Sequence, residues 1–363
     1  MKKIIALILC LTTLLTVGCK KNKYPEIEST KEESRVMMSF KIGNEKYEMK
    51  YELYRALFLN FSAHYDKGDK SFWDKEDSKD ELSEINEKIL EYTLDIFSVL
   101  YVSKDIGFDP YSKEAENMIS DYIKKSVEGD GDTVIGFGGD YDAYLESIKA
   151  ANMNYSVQKL LYRYSIAYDK IIAHYEGKIN ESNPTESIDG ALSFTRDDVL
   201  AFYNSENSAR VSPVIIDATY FSYERAKQIR DAIASAPNTS EALRTAITNT
   251  TANETSITEG VVIGTHTLDK AYYKDVTAAA LQLNVYETSD VITVNTDDGT
   301  EYWILYKQEK NDEHFNKNYN DMASVFTSQK IGEIIDATKT QLKASLSETD
   351  DYKNLKHSGI SMK

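Results

Sequence analysis

Cysteine is nearly absent: the 363 residues contain two, Cys10 and Cys19, both near the start. Beyond residue 19 the chain therefore has no disulfide, no thiolate nucleophile and no cysteine metal site. Positive charge is also short. Lys and Arg number 42 against 59 Asp and Glu, a formal net charge of -17, which argues against nucleic acid and against broad contact with anionic headgroups. The five histidines, His64, His174, His266, His314 and His357, are scattered, none with a second ligand at metal-binding spacing, so no metal and no other cofactor is expected. No Gly-X-Ser-X-Gly elbow is present to support hydrolysis. The glycine-rich stretch Glu128 to Asp140 lacks the Lys-Ser/Thr of a P-loop and fails as a calcium loop at Val134 and Tyr141, so it reads as a plain connection between helices. No apolar run reaches the ~20 residues needed to cross a bilayer as a helix.

What is present starts with Met1, Lys2 and Lys3, then an apolar run from Ile4 to Leu15, closed by Thr16-Val17-Gly18-Cys19. Residues 1–18 read as a signal peptide with a lipobox-like end, Thr16 standing where the lipoprotein pattern usually has leucine. Cys19 is the expected lipid-attachment residue. The expected location is extracytoplasmic, with the chain lipid-anchored to the outer face of the cell membrane. Residues 19–35 are polar and without periodicity, a tether. The rest exceeds one usual domain, so two are expected.

Val36 to Tyr47 reads as a strand turning at Gly43-Asn44. From Glu48 the spacing is helical, with Tyr51, Tyr54, Leu57, Phe58 and Phe61 on one face. Further helices are expected over Asp80 to Lys104, Ser112 to Val127 and, after the glycine-rich loop, Tyr141 to Tyr175. Residues 36–180 thus form a helical module. Glu176 to Gly190 holds Pro184 and no periodicity, and reads as the boundary. After it, Thr195-Arg196-Asp197-Asp198 caps a short helix, Val211 to Phe221 reads as a strand and Tyr223 to Ser235 as a helix. Val261 to Gly264 reads as a strand, Thr277 to Leu283 as a helical turn, and Val291 to Val294 with Glu301 to Lys307 as a hairpin. Residues 191–310 form a small α+β domain. Ala236 to Glu259, rich in Thr, Ala, Asn and Ser, includes Asn253-Glu254-Thr255, where chance composition accounts for the triplet better than glycosylation. A last helix, within residues 315–350, carries Tyr319, Met322, Phe326, Ile334, Ile335, Thr338 and Leu342 on a stripe that needs a partner, for which the first module is the natural place.

Ser39 to Phe58 (SFKIGNEKYEMKYELYRALF) resembles the opening segment of the parvulin-type foldases of the PrsA and SurA kind, and Tyr141 to Tyr175 is similar to the helix that completes their N-terminal lobe. Arg210 to Ile216 looks like the first parvulin strand, Glu259 to Gly264 like the family's glycine turn, and Tyr302 to Leu305 like its closing strand. The resemblance implies an α+β fold, a split helical chaperone lobe with an inserted parvulin-like domain. It implies unfolded or nascent exported polypeptides as partners, and leaves a homodimer open. The family's activity depends on two histidines, whose places here are taken by Pro213 and Trp303. Neither supplies an imidazole, so little or no isomerase activity is expected.

The chain carries 26 tyrosines, whose amphipathic rings suit loose recognition of unfolded segments, although core packing explains at least half. The residues flanking the strands that floor the family's cleft, Tyr220, Tyr272, Tyr273 and Trp303, together with His266 after the Gly264 turn, are the candidates for peptide binding. No catalytic residue is assigned. An anchored chaperone is the leading reading. An active peptidyl-prolyl isomerase has the fold resemblance for it and the missing histidines against it. A solute-binding lipoprotein would need strand-helix alternation across two α/β lobes, which the long helices at both ends oppose.

Overall fold

The computed structural model describes residues 24–131, 134–176, 192, 194–250, 253–266, 273–296 and 299–362. The signal peptide, Cys19 and Tyr272 lie outside the described residues. In chain order the elements are β1 (Val36–Ile42), β2 (Glu45–Lys50), α1 (Tyr51–Asp66), α2 (Lys79–Asp105), α3 (Lys113–Glu128), α4 (Tyr141–Ala150) and α5 (Tyr155–Glu176). There follow α6 (Arg196–Asn204), β3 (Ser208–Asp217), α7 (Tyr223–Ala234), α8 (Thr239–Thr248), α9 (Glu254–Thr258), β4 (Val261–Gly264) and α10 (Lys274–Gln282). The chain closes with β5 (Ile292–Asn295), β6 (Thr300–Lys307), α11 (Asp312–Lys317), α12 (Tyr319–Ala344), β7 (Ser347–Glu348) and α13 (Asp350–Lys353). The class is α+β. No described helix is long and apolar enough to cross a membrane.

The chain divides into two units. The first runs to Ile172 and resumes at Ile334, and the second is Ala173–Glu333. In the first, Gly43, in the left-handed region at φ 55°, turns β1 back on β2, and β7 pairs with the other edge of β1, so the sheet order is β2-β1-β7. Met38, Phe40 and Ile42 alternate inward while Ser39 and Lys41 face out, the period of a strand buried on one side. Phe40 and Tyr47 meet Phe97 of α2 at 5.7 and 5.3 Å between ring centroids.

Part of the segment expected to be a tether packs on the fold. From Tyr24 onward the segment is packed: the Tyr24 side chain is buried, its hydroxyl donates to Glu128 at 2.8 Å, and Tyr141 donates to the Pro25 carbonyl at 2.6 Å. The helix expected over Tyr141 to Tyr175 is two helices. Asn152 takes the left-handed conformation (φ 60°) that ends α4, and the Asn154 side chain accepts from the Val157 N–H to start α5.

In the second unit the sheet order is β4-β3-β6-β5, all antiparallel. One face carries Val214, Ile216, Ile304 and Tyr306 against α7, α8 and α9. The other carries Ala209, Val211, Trp303 and Leu305 against Val276 and Ala280 of α10. The Ala236 to Glu259 stretch, without periodicity in sequence, holds α8 and α9, each opened by an asparagine cap, Asn238 to Glu241 N–H at 3.0 Å and Asn253 to Thr255 N–H at 2.9 Å. Helix α12 divides its stripe. Tyr319, Met322 and Phe326 pack with Phe194, Phe202 and Tyr203 inside the second unit, whereas the turns from Ile334 on belong to the first, where Lys343 pairs with Glu91 at 2.6 Å.

Candidate peptide-binding face

Strand β3 runs through the middle of the second unit's sheet, and its odd-numbered residues share a face with Trp303 of β6. Pro213 lies opposite Leu305, and Ile215 opposite Trp303, so Pro213 and Trp303 are diagonal neighbours on one face. Both are buried. Trp303 meets the Tyr273 ring edge to face at 5.3 Å and gives its indole N–H to Glu301 at 2.7 Å. Around it lie Val211, Val276, Ala280 and Val294. Pro213 and Trp303 are thus built into an apolar layer.

The structure brings Tyr273 and Trp303 together, and places Tyr220 and His266 elsewhere in the second unit. Tyr220 lies in the turn after β3 and is 76% exposed; Phe221 and Tyr223 beside it are also exposed. Tyr223 leans on Tyr302 at 5.5 Å, on the face opposite Trp303. The run Tyr220-Phe221-Ser222-Tyr223 was the sequence signal for this aromatic group, of which only Tyr220 was singled out. His266 gives its backbone N–H to Gln329 Oε1 at 3.2 Å, and its ring lies against Gly332 of α12.

A second concentration of titratable groups, Tyr203, Lys310 and His314, was not picked out from sequence. Tyr203 Oη and His314 Nδ1 are 3.1 Å apart, and Lys310 Nζ donates to the Ser205 carbonyl at 2.7 Å and to Ser208 Oγ at 3.0 Å. Burial, with Lys307 adding like-charge repulsion, lowers the Lys310 pKa to about 8, and burial lowers that of His314. These groups tie the start of α11 to the end of α6, a structural use. Among the described residues no three His, Cys, Asp or Glu side chains converge on a metal position.

What fold and face define is an α+β protein whose helical unit is interrupted by a domain built on a four-stranded antiparallel sheet. Its structural neighbours are PrsA foldases. That of Streptococcus pneumoniae shares 14% identity over 84% of this chain and 93% of its own, with a TM-score of 0.26. The foldase protein PrsA of Lactococcus lactis shares 14% over 88% and 96%, with a TM-score of 0.25, and PrsA of Bacillus subtilis 16% over 72% and 89%, at 0.24. No protein-family model matches the chain, and no curated protein matches it.

Proposed function

We propose that this protein is an extracytoplasmic lipoprotein, anchored through Cys19, that binds unfolded exported polypeptides and has little or no prolyl isomerase activity. The observation that carries the reading is the apolar face holding Pro213 and Trp303. Rotating a prolyl bond means crossing a barrier of ~18–20 kcal/mol, and an enzyme lowers it with oriented polar groups around the twisted amide. Here the proline ring offers no donor, and the one donor of Trp303 is committed to Glu301. Exposed aromatic surface at Tyr220, Phe221 and Tyr223 supports binding without chemistry.

The test uses the chain from Lys20 onward in two parallel assays. One measures a proline-limited refolding reaction, the other the aggregation of an unfolded client at equimolar chaperone. Suppression of aggregation with an unchanged refolding rate is the expected result. A clear rate enhancement would overturn the inactive-domain reading, and failure in both assays would overturn the chaperone reading. Anchoring is tested separately by Cys19→Ser, expected to release the protein from the membrane.

A further inference from the structure

Strand β2 ends the sheet of the first unit, and no backbone group among the described residues pairs with its outer edge. Which of its groups face outward follows from the register. Lys41 gives its N–H to Ser345 Oγ at 2.7 Å, and the Met37 carbonyl accepts from Thr349 N–H at 3.0 Å, both on the β7 side of β1. Residues 37, 39 and 41 therefore turn their backbone groups away from β2. Directly opposed residues of an antiparallel pair exchange both hydrogen bonds or neither. Glu48 lies opposite Ser39 and Lys46 opposite Lys41, so both hold their N–H and C=O out to an open edge.

A cavity of about 420 Å³ runs along that edge, within the ~300–1,000 Å³ usual for ligand sites. Glu45, Lys46, Tyr47 and Glu48 all line it. Successive side chains of a strand point to opposite faces, so a space touching four in a row lies beside the strand and not over one face. Leu53, Phe97, Val157 and Leu160 supply apolar wall. The Tyr47 hydroxyl is buried here with no hydrogen-bond partner among the described residues, an arrangement that costs free energy until an acceptor arrives.

We propose that the β2 edge binds an extended segment of an unfolded polypeptide by strand addition. The segment's backbone pairs with Lys46 and Glu48, and its alternate apolar side chains enter the wall of Leu53, Phe97 and Leu160. This rests on the reading of the protein as a binder of unfolded chains, and adds where they bind. A single extended segment, and not a second copy pairing through its own β2, is the occupant, because Val157, Lys159 and Leu160 of α5 line the groove beside that edge and a second copy would bring its own α5 against them. Charge decides little. Lys104 pairs with Glu45 at 2.8 Å, Lys46 with Glu48 at 2.5 Å, and Lys159 and Arg163 with Glu116 at 2.7 and 2.6 Å, so the groove selects backbone rather than charge.

The test measures binding of a fluorescein-labelled short peptide of alternating Val and Ser to the chain from Lys20 onward. Glu48→Pro removes one outward N–H and none of the bonds to β1, and is expected to weaken binding at least ~10-fold, with Glu48→Ala within about twofold of the wild type. Two peptides N-methylated on alternate residues, in the two registers, probe the unmodified protein. One is expected to bind and the other to fail, whether or not Glu48→Pro folds. Equal binding of both methylated peptides, or of Glu48→Pro and wild type, overturns the proposal. A wild-type chain that suppresses client aggregation but binds none of these peptides overturns the edge site alone; one that does neither overturns the functional reading with it.

Discussion

His357 makes the first unit sensitive to mild acid. Its Nε2 lies 2.8 Å from the Tyr54 hydroxyl, which donates to Asn86 Oδ1 at 2.7 Å, and its ring packs at 5.2 Å from Phe58. Burial pushes its pKa down from 6.5 to about 4. The unfolded chain therefore takes up this proton first as pH falls. The stabilisation is complete above the unfolded value of ~6.5, declines below it and levels off below the folded value. A shift of about 2.5 units at ~1.4 kcal/mol each gives a ceiling of ~3 kcal/mol. Between pH 7.5 and pH 5 the part lost is about 2 kcal/mol by linkage, and residual solvent access to the ring reduces it to ~1–2 kcal/mol. Urea unfolding of the wild type and of His357→Gln at both pH values reads it directly. Other groups cancel in the comparison: His314, lowered by burial, acts in the same direction, and Asp95 and Asp169, raised by burial, act oppositely, but all are common to both proteins. The expected result is a smaller loss in the variant by ~1–2 kcal/mol; equal losses in the two proteins would refute the reasoning.

Three further outcomes are expected. Gln308→Leu removes donors to Ser212 Oγ at 2.6 Å and to the Ile257 carbonyl at 3.1 Å, and is expected to cost ~1–3 kcal/mol, read as a lower Tm of the second unit. Gly332→Ala in α12 would ordinarily stabilise a helix by ~0.5–1 kcal/mol. Here the new Cβ overlaps the His266 ring, so the substitution is expected to destabilise, with His266→Ala restoring the usual sign in a double-mutant cycle. Trp303→Ala removes a 7% exposed indole and its Tyr273 contact, and chemical denaturation is expected to show a loss of ~3–5 kcal/mol.

Local chemistry was the legible part of the chain. Gly43-Asn44 announced the β1–β2 turn, and Thr195 with Asp198 announced a capping box, present with Thr195 N–H to Asp198 Oδ2 at 2.7 Å. The α4–α5 break carried a signal too, since Asn152 and Asn154 suit a helix end and a helix start, but the apolar spacing on either side continues as if one helix ran through. Asn238 and Asn253 were likewise caps hidden in a stretch whose composition suggested none. The α12 stripe showed that a partner was required without showing that it needed two. Of the residues singled out, Tyr273 and Trp303 meet because a strand and the start of a neighbouring helix hold them side by side. His266 depends on how the chain leaves β4, which no periodicity reports. The β2 edge was beyond reach, because outward backbone groups follow from register and side chains do not encode them directly.

Pro213 sits where the sheet can take a proline without loss. Proline is normally excluded from a strand with neighbours on both sides, because it breaks the ladder. Strand β3 has such neighbours, but β4 pairs with it only as far as Val211. On the other side, Leu305 opposite Pro213 turns its groups away, its carbonyl accepting from Ser289 N–H at 2.8 Å and its N–H donating to Ser289 Oγ at 2.9 Å. The nitrogen of residue 213 therefore points past the end of β4. Ile215 on the same side takes its hydrogen bond from a side chain, donating to Thr250 Oγ1 at 3.1 Å. A proline at 213 therefore forfeits no strand-to-strand hydrogen bond, and Pro213→Ala is not expected to gain one. The indole of Trp303, a diagonal neighbour on the same face, fills that face as core, and with the intact ladder it keeps the sheet rigid.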